Sequence, residues 1–208
     1  TLTQASNISV IVSIAPIFTG ILAHFFLEGE KMKKSIVLGF VCAMAGICLI
    51  TFQKGETVEL NPLGDFLGVA AAAIWGVYSI CSRKIAGFGY DTIITTRRTF
   101  FYGILFMLCA LPFMDFHLSL SALLKPVNLG NIIYLGVGAS AICFVTWNYA
   151  VKSLGATRAS VYIYGIPVVT ILMSIPLLHE VITFQAMAGT VLTLVGLLIS
   201  EWPFSPKK

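Results

Sequence analysis

The stretch Ala156 to Glu180, ATRASVYIYGIPVVTILMSIPLLHE, has a second copy near the start of the chain, Ala5 to Glu30, ASNISVIVSIAPIFTGILAHFFLEGE. At an offset of 151 residues Ala5 meets Ala156, Ser9 meets Ser160, Val10 meets Val161, Pro16 meets Pro167, Thr19 meets Thr170 and Leu27 meets Leu178. One residue then slips out, and at an offset of 150 Glu30, Gly39, Val41 and Gly46 meet Glu180, Gly189, Val191 and Gly196. Internal symmetry of this kind constrains the architecture before any local reading does. What it implies depends on the direction in which each copy runs.

The setting of both copies is apolar. Of 208 residues 58% are hydrophobic and 11% charged, with a mean hydropathy of +0.93, whereas soluble domains give about a quarter of their residues to charge. The chain therefore belongs in a lipid bilayer. A basic start followed by a short apolar core and a small-residue cleavage site is missing, so no cleavable signal is read. The chain opens on Thr1 and enters an apolar segment almost at once, as expected for the back part of a longer protein. The net charge of +4 is spread over loops, which argues against a nucleic-acid partner. Cys42, Cys48, Cys81, Cys109 and Cys143 all fall inside apolar runs without ligand spacing, so they read as small hydrophobes. No disulfide, metal or cofactor is expected.

Seven apolar runs are separable: Ile8 to Leu27 (A), Ser35 to Phe52 (B), Phe66 to Ser82 (C), Thr99 to Met114 (D), Gly130 to Ala150 (E), Ala159 to Leu178 (F) and Phe184 to Ser200 (G). Most approach the length of about 20 residues with which a helix crosses a hydrocarbon core about 30 Å thick. Run D is short, so its helix is expected to begin upstream near Asp91 and to carry Arg97 and Arg98 at headgroup level. Helices are expected throughout, because a strand edge in lipid leaves backbone groups unpaired. The fold class is thus an all-α membrane protein with seven transmembrane helices.

Orientation follows from Lys and Arg. Lys31, Lys33, Lys34, Arg83, Lys84, Arg97, Arg98, Lys152, Arg158, Lys207 and Lys208 fall on one side, and only Lys54 and Lys125 on the other. Positive residues collect in the cytoplasm, which places the C-terminus there and Thr1 outside. Run A then descends while run F ascends, and the two copies are inverted relative to each other. Inverted repeats are a signature of secondary transporters, in which related halves enclose a site near the midplane. Residues 1–54 are expected to be the last two helices of a first repeat, 55–64 a periplasmic linker, and 65–202 a complete five-helix second repeat.

Several segments carry a resemblance to a known family: AAAAIWGVYSICSRK from Ala70 to Lys84, Arg97 or Arg98 with the run through Gly103, WNYAVKSLGATRAS from Trp147 to Ser160, the mid-helix Pro16 and Pro167, and the ends Gly29-Glu30 and His179-Glu180. In order and spacing the chain resembles the EamA family of the drug/metabolite transporter superfamily. The resemblance covers nearly all of residues 5–200 and implies a ten-helix protein of two inverted five-helix repeats (5+5). It also implies a central cavity walled by the helices of runs A, C, E and F, with B and G outside it. His179 departs from the Gly usual before Glu, and the first three helices of such a protein are missing.

A solute path should show as polar or aromatic positions recurring on one helix face, since polar groups facing lipid are costly. Run A has Ser9, Ser13, Pro16 and Gly20, and run F has Ser160, Tyr164 and Pro167 in the same register. Run C offers Gly68, Ala72, Trp75 and Ser79, and run E offers Gly136, Ser140, Cys143 and Trp147. The substrate-binding candidates are Ser9, Ser13, Trp75, Ser79, Tyr102, Trp147 and Tyr164. Against them stands packing: hydroxyls bond the preceding turn, aromatics belong to the interfacial belt, and the glycines of B and G let helices approach closely. Pro16 and Pro167 each deprive an earlier carbonyl of its donor, so both are hinge candidates. No Asp, Glu, Lys or Arg lies near the middle of a run, His24 is about a turn from an end, and no nucleophile elbow or metal spacing occurs.

These features point away from an enzyme and toward a permease or exporter of small organic metabolites such as amino acids, working by alternating access in a bacterial-type inner membrane. Its partners are the lipid bilayer and a small-molecule substrate; homo-oligomerisation, coupling ion and direction stay open. A seven-helix receptor shares the span count and outside N-terminus, but has no use for an inverted repeat, and no Lys in run G offers a retinal attachment. A non-transporting fragment is the third reading. Topology labelling checks the inversion: Lys33 and Arg158 should report from the same face of the bilayer, and their appearance on opposite faces would remove the carrier reading.

Overall fold

A computed structural model of the chain describes residues 13–51, 62–113, 120–166, 168–170, 173 and 183–202. The regular structure among them is helical, with no strand. In chain order the helices are α1 (Ala15–Phe26), α2 (Lys34–Thr51), α3 (Pro62–Gly87), α4 (Thr92–Ala110), the single turn α5 (Leu120–Leu123), α6 (Pro126–Ile133), α7 (Cys143–Leu154), α8 (Ala156–Val161) and α9 (Phe184–Glu201). A 3-10 turn, Leu111–Phe113, prolongs α4, and another, Tyr162–Gly165, prolongs α8. A π-helical stretch, Tyr134–Ile142, joins α6 to α7. Among the described residues five segments are long and apolar enough to cross a membrane: α2, α3, Thr92–Phe113, Pro126–Leu154 and α9.

Local chemistry sets several of the helix starts. The Asp91 carboxylate accepts from the amides of Ile93 at 2.9 Å and Ile94 at 3.0 Å, satisfying donors that lack a carbonyl in the first turn. That cap starts α4 where run D requires it and leaves Arg97 and Arg98 exposed in the second turn. Thr183 does the same for α9, its hydroxyl accepting from the Ala186 amide at 3.1 Å. Helix α3, described from Pro62, takes in run C and the residues just before it, and proline suits an early helical position because it needs no amide partner there.

Run E departs from expectation in its geometry. Gly136, Ser140, Cys143 and Trp147 share a face only if every turn is α-helical, but the main chain from Tyr134 to Ile142 is π-helical. A π turn holds more residues than an α turn, so positions before Ile142 are rotated relative to those after it. The small residues Gly136, Gly138, Ala139 and Ser140 fill this stretch; nothing in their contacts explains why it is π.

The described residues divide into two compact units, one within Thr1–Cys81 and Leu154–Lys208, the other within Ser82–Ser153. In the first, α2 and α9 pack antiparallel with their main chains in near contact. Gly39 abuts Gly196 and Ser200, and Gly46 abuts Gly189 and Thr193. A Cβ added at Gly46 would stand 2.6 Å from the Gly189 carbonyl oxygen, and one added at Gly189 would stand 2.6 Å from that of Gly46. The contacts are reciprocal under the offset of 150 found in the sequence: Gly39 against Ser200 is matched by Gly189 against Ile50, and Gly46 against Thr193 by Gly196 against Ala43. Cys42 Sγ donates to the carbonyl of Leu192 at 3.5 Å, a pair of positions that are each other's counterparts.

Helix α1 packs on α3 through Gly76, where a Cβ would stand 3.2 Å from the Thr19 nitrogen. It also meets α8: a Cβ at Gly20 would lie 3.9 Å from Thr157 Cγ2. Ala15, Thr19, Gly20 and Ala23 form the buried side of α1.

Because the α2–α9 crossing has no room for a side chain, Gly46→Ala should lower stability in detergent by about 1–3 kcal/mol. Gly103→Ala, whose added Cβ would meet nothing within 4 Å, should not lower it, and thermal unfolding of the two variants side by side measures the difference.

Candidate functional site

In the first unit, helix α3 brings Trp75 and Ser79 one turn apart. The Ser79 hydroxyl donates to the Trp75 carbonyl at 3.0 Å and is fully buried. Trp75 is half-buried, with its ring 5.5 Å from that of Tyr78 at an interplanar angle of 37°. Between them in sequence, Gly76 presses on α1, so this part of α3 is a packed face. Thr19 donates to the Ala15 carbonyl at 3.0 Å and Ser160 to that of Thr157 at 2.8 Å, so the hydroxyl protons go to the backbone and oxygen lone pairs are what these side chains still offer.

Ser13 is buried just ahead of α1. Pro16 stands in the first turn of α1 as described, where its missing N–H costs no intrahelical bond. Tyr164 lies in the 3-10 turn after α8 and is 2% exposed, packed with Ala43, Ile47 and Val161 and with the Phe40 ring 6.5 Å away. Its ring is a core element of the α2–α8–α9 packing. Ser9 and Pro167 lie outside the described residues.

Tyr102 and Trp147 belong to the second unit. Tyr102 is 58% exposed on α4, edge-on to Phe101 with ring centroids 5.7 Å apart, and Trp147 is half-buried on α7. This unit also holds a polar crevice lined by Ser82, Tyr90, Thr92, Thr95, Thr99 and Asn148. Thr96 donates to the Thr92 carbonyl at 2.7 Å and accepts from Asn148 Nδ2 at 2.9 Å. Arg83 donates through Nη1 to the carbonyls of Val151 at 3.4 Å and Lys152 at 2.6 Å, and Lys152 Nζ donates to the Tyr90 carbonyl at 3.2 Å. A guanidinium on the last carbonyls of α7 is favourably placed against the negative end of that helix. The crevice was legible in part, since Thr92, Thr95 and Thr99 recur at helical spacing; Ser82 and Asn148 come from distant segments that no local pattern joins to it.

Glu30, whose place beside the lysines fits a residue that closes a helix end, does so on a segment far along the chain. Glu30, in the α1–α2 connection, accepts from the amides of Ala156 at 3.2 Å and Thr157 at 3.0 Å, one carboxylate oxygen to each. Gly155 precedes them with φ of 93°, and a Cβ there would stand 2.7 Å from Glu30 Oε1. Among the described residues no three His, Cys, Asp or Glu side chains come together as a metal site.

An uncharacterized transporter from Archaeoglobus fulgidus is 31% identical over 92% of the chain and 66% of its own length. The transporter YyaM of Bacillus subtilis is 28% identical over 96% of the chain and 65% of its own. A probable terminal-alkyne amino-acid exporter from Streptantibioticus cattleyicolor is 28% identical over 94% of the chain and 63% of its own. The chain thus spans just under two thirds of the length of these curated relatives. A solved crystal structure superposes with a TM-score of 0.80 over 96% of the chain and 68% of its own, at 21% identity, a likeness of fold. The sequence pattern of the EamA-like transporter family matches residues 1–52 and 62–202. With seven apolar runs, a helical fold and a family match over nearly its whole length, the chain belongs to the EamA-like transporter family.

Proposed function

We propose that this chain forms part of a secondary carrier that moves small organic metabolites, amino acids among them, across a bacterial-type inner membrane by alternating access. The C-terminus faces the cytoplasm, and residues 1–54 and 65–202 belong to two inverted five-helix repeats joined by a periplasmic linker. The observation that carries this reading is the reciprocal packing of α2 and α9. Sequence counterparts 150 residues apart exchange contacts across an antiparallel crossing, which is what a two-fold axis in the membrane plane would produce. Antiparallel twins are difficult to reconcile with a receptor, whose helices need no such relation.

The choice of solute draws on one relative, named as a probable amino-acid exporter. Hydroxyl lone pairs and indole or phenol rings suit a solute that is both polar and apolar, and a fixed counter-charge is not needed for a zwitterion. Of the two aromatic candidates in the first unit, Trp75 is half-buried beside Tyr78, whereas Tyr164 is buried in the core. Ser13, Ser79 and Tyr164, with Ser9, are the remaining candidates on that side, and Tyr102 and Trp147 those of the second unit. Pro167 is the leading hinge candidate, and Pro16 the weaker of the pair because in the first turn of α1 as described it costs no intrahelical bond.

Cells expressing the protein from its own gene should resist at least one of a panel of toxic amino-acid analogues, and resistance to none would overturn the substrate class. Within a responding pair, Trp75→Ala should raise KM by roughly tenfold, the equivalent of one aromatic contact. Pro167→Ala should leave insertion intact and slow turnover; unchanged kinetics would dismiss the hinge.

A further inference from the structure

We infer that Glu30 is a latch that holds the cytoplasmic ends of α1 and α8 together, and that its release is part of opening the carrier to the cytoplasm. The inference rests on the alternating-access reading above.

Its basis is where the cap of α8 comes from. Helix α4 is capped by its own Asp91 and α9 by its own Thr183. Helix α8 has Gly155 at the corresponding position, which carries no side chain to cap with. The two amides are satisfied instead by a carboxylate 126 and 127 residues away in sequence, from the connection that follows α1. A cap supplied locally survives any movement of its helix; one supplied by another segment is broken when the two move apart. The charge of Glu30 also favours the contact, since an anion is stabilised beside the amides that open a helix.

The surroundings fit the contact closely. Gly155 adopts φ of 93°, a conformation that favours glycine, and a Cβ there would fall 2.7 Å from Glu30 Oε1. The position therefore tolerates the carboxylate only while it has no side chain. On either side of the latch Ala23 of α1 and Ala156, Ala159 and Ser160 of α8 are buried. Gly29, with φ of 85°, turns the chain immediately before Glu30. Lys31, Lys33, Lys34 and Arg158 flank it, which puts the contact on the basic side of the protein.

The test uses Ser160→Cys as a reporter, because Ser160 is fully buried two turns or less from the latch. A membrane-impermeant maleimide is added to inside-out vesicles holding the protein expressed from its own gene, and labelling is read against the same protein with Ser160 intact. Glu30→Gln removes the charge and one of two acceptors, and should speed labelling of the reporter roughly tenfold. Ala156→Pro removes one donor at a first-turn position that tolerates proline and should act in the same direction. If that variant does not insert, Glu30→Gln alone decides. A role confined to capping would lower thermal stability without changing labelling, and that result, or equal labelling rates throughout, would overturn the latch. Labelling requires no solute, so a latch that fails while transport persists leaves the carrier reading intact. A protein that transports nothing sinks the carrier reading on separate grounds.

Discussion

The close approach of two main chains, α2 and α9, is the constraint on which the first unit depends. Inside a bilayer the lipid tails are as apolar as the side chains, so hiding apolar surface supplies little drive for helices to associate. Van der Waals contact supplies it instead, and that requires backbones near enough to touch over several turns. Gly39, Gly46, Gly189 and Gly196 provide the approach, and the hydroxyls of Thr193 and Ser200 turn back to the carbonyls of Gly189 and Gly196 at 2.9 and 3.0 Å without projecting a free donor. The rest of that unit follows from the same logic on a smaller scale. Gly76 against Thr19 seats α3 on α1, and Gly20 with Thr157 brings α1 to α8.

Much of this architecture can be read without coordinates, for a physical reason. A membrane span is specified by length and apolarity over about 20 residues, a strong signal. The start of α4 was also legible, since run D alone is too short to cross the membrane and its helix has to begin upstream near Asp91, which proves to be its cap. The packing role of the glycines followed from their spacing. The π-helical stretch from Tyr134 to Ile142 was not legible, because its residues have the composition of an ordinary membrane helix.

The candidate site was less legible than the fold. Helical spacing nominated Trp75 and Ser79 and does bring them together, but it says nothing about whether a face meets a neighbouring helix or open space. Ser79 turns out to be fully buried beside a glycine contact, and Tyr164 to be part of the core. Glu30 shows the opposite limit. As a sequence it is one acidic residue among lysines, and only the fold shows that its carboxylate reaches a helix start far along the chain. Contacts between distant segments leave no periodic trace in either partner.

The meeting of Cys42 with Leu192 bears on how freely two related segments can drift apart. Elsewhere along the crossing each approach occurs in two versions, so one can change its chemistry while the other keeps the original, as Ser200 and Ile50 already differ. Where a position faces its own counterpart there is a single version and no spare. At that point the contact runs from a thiol to a main-chain carbonyl, which any residue at position 192 would still present, so the leucine is free to change while the bond depends on the thiol alone.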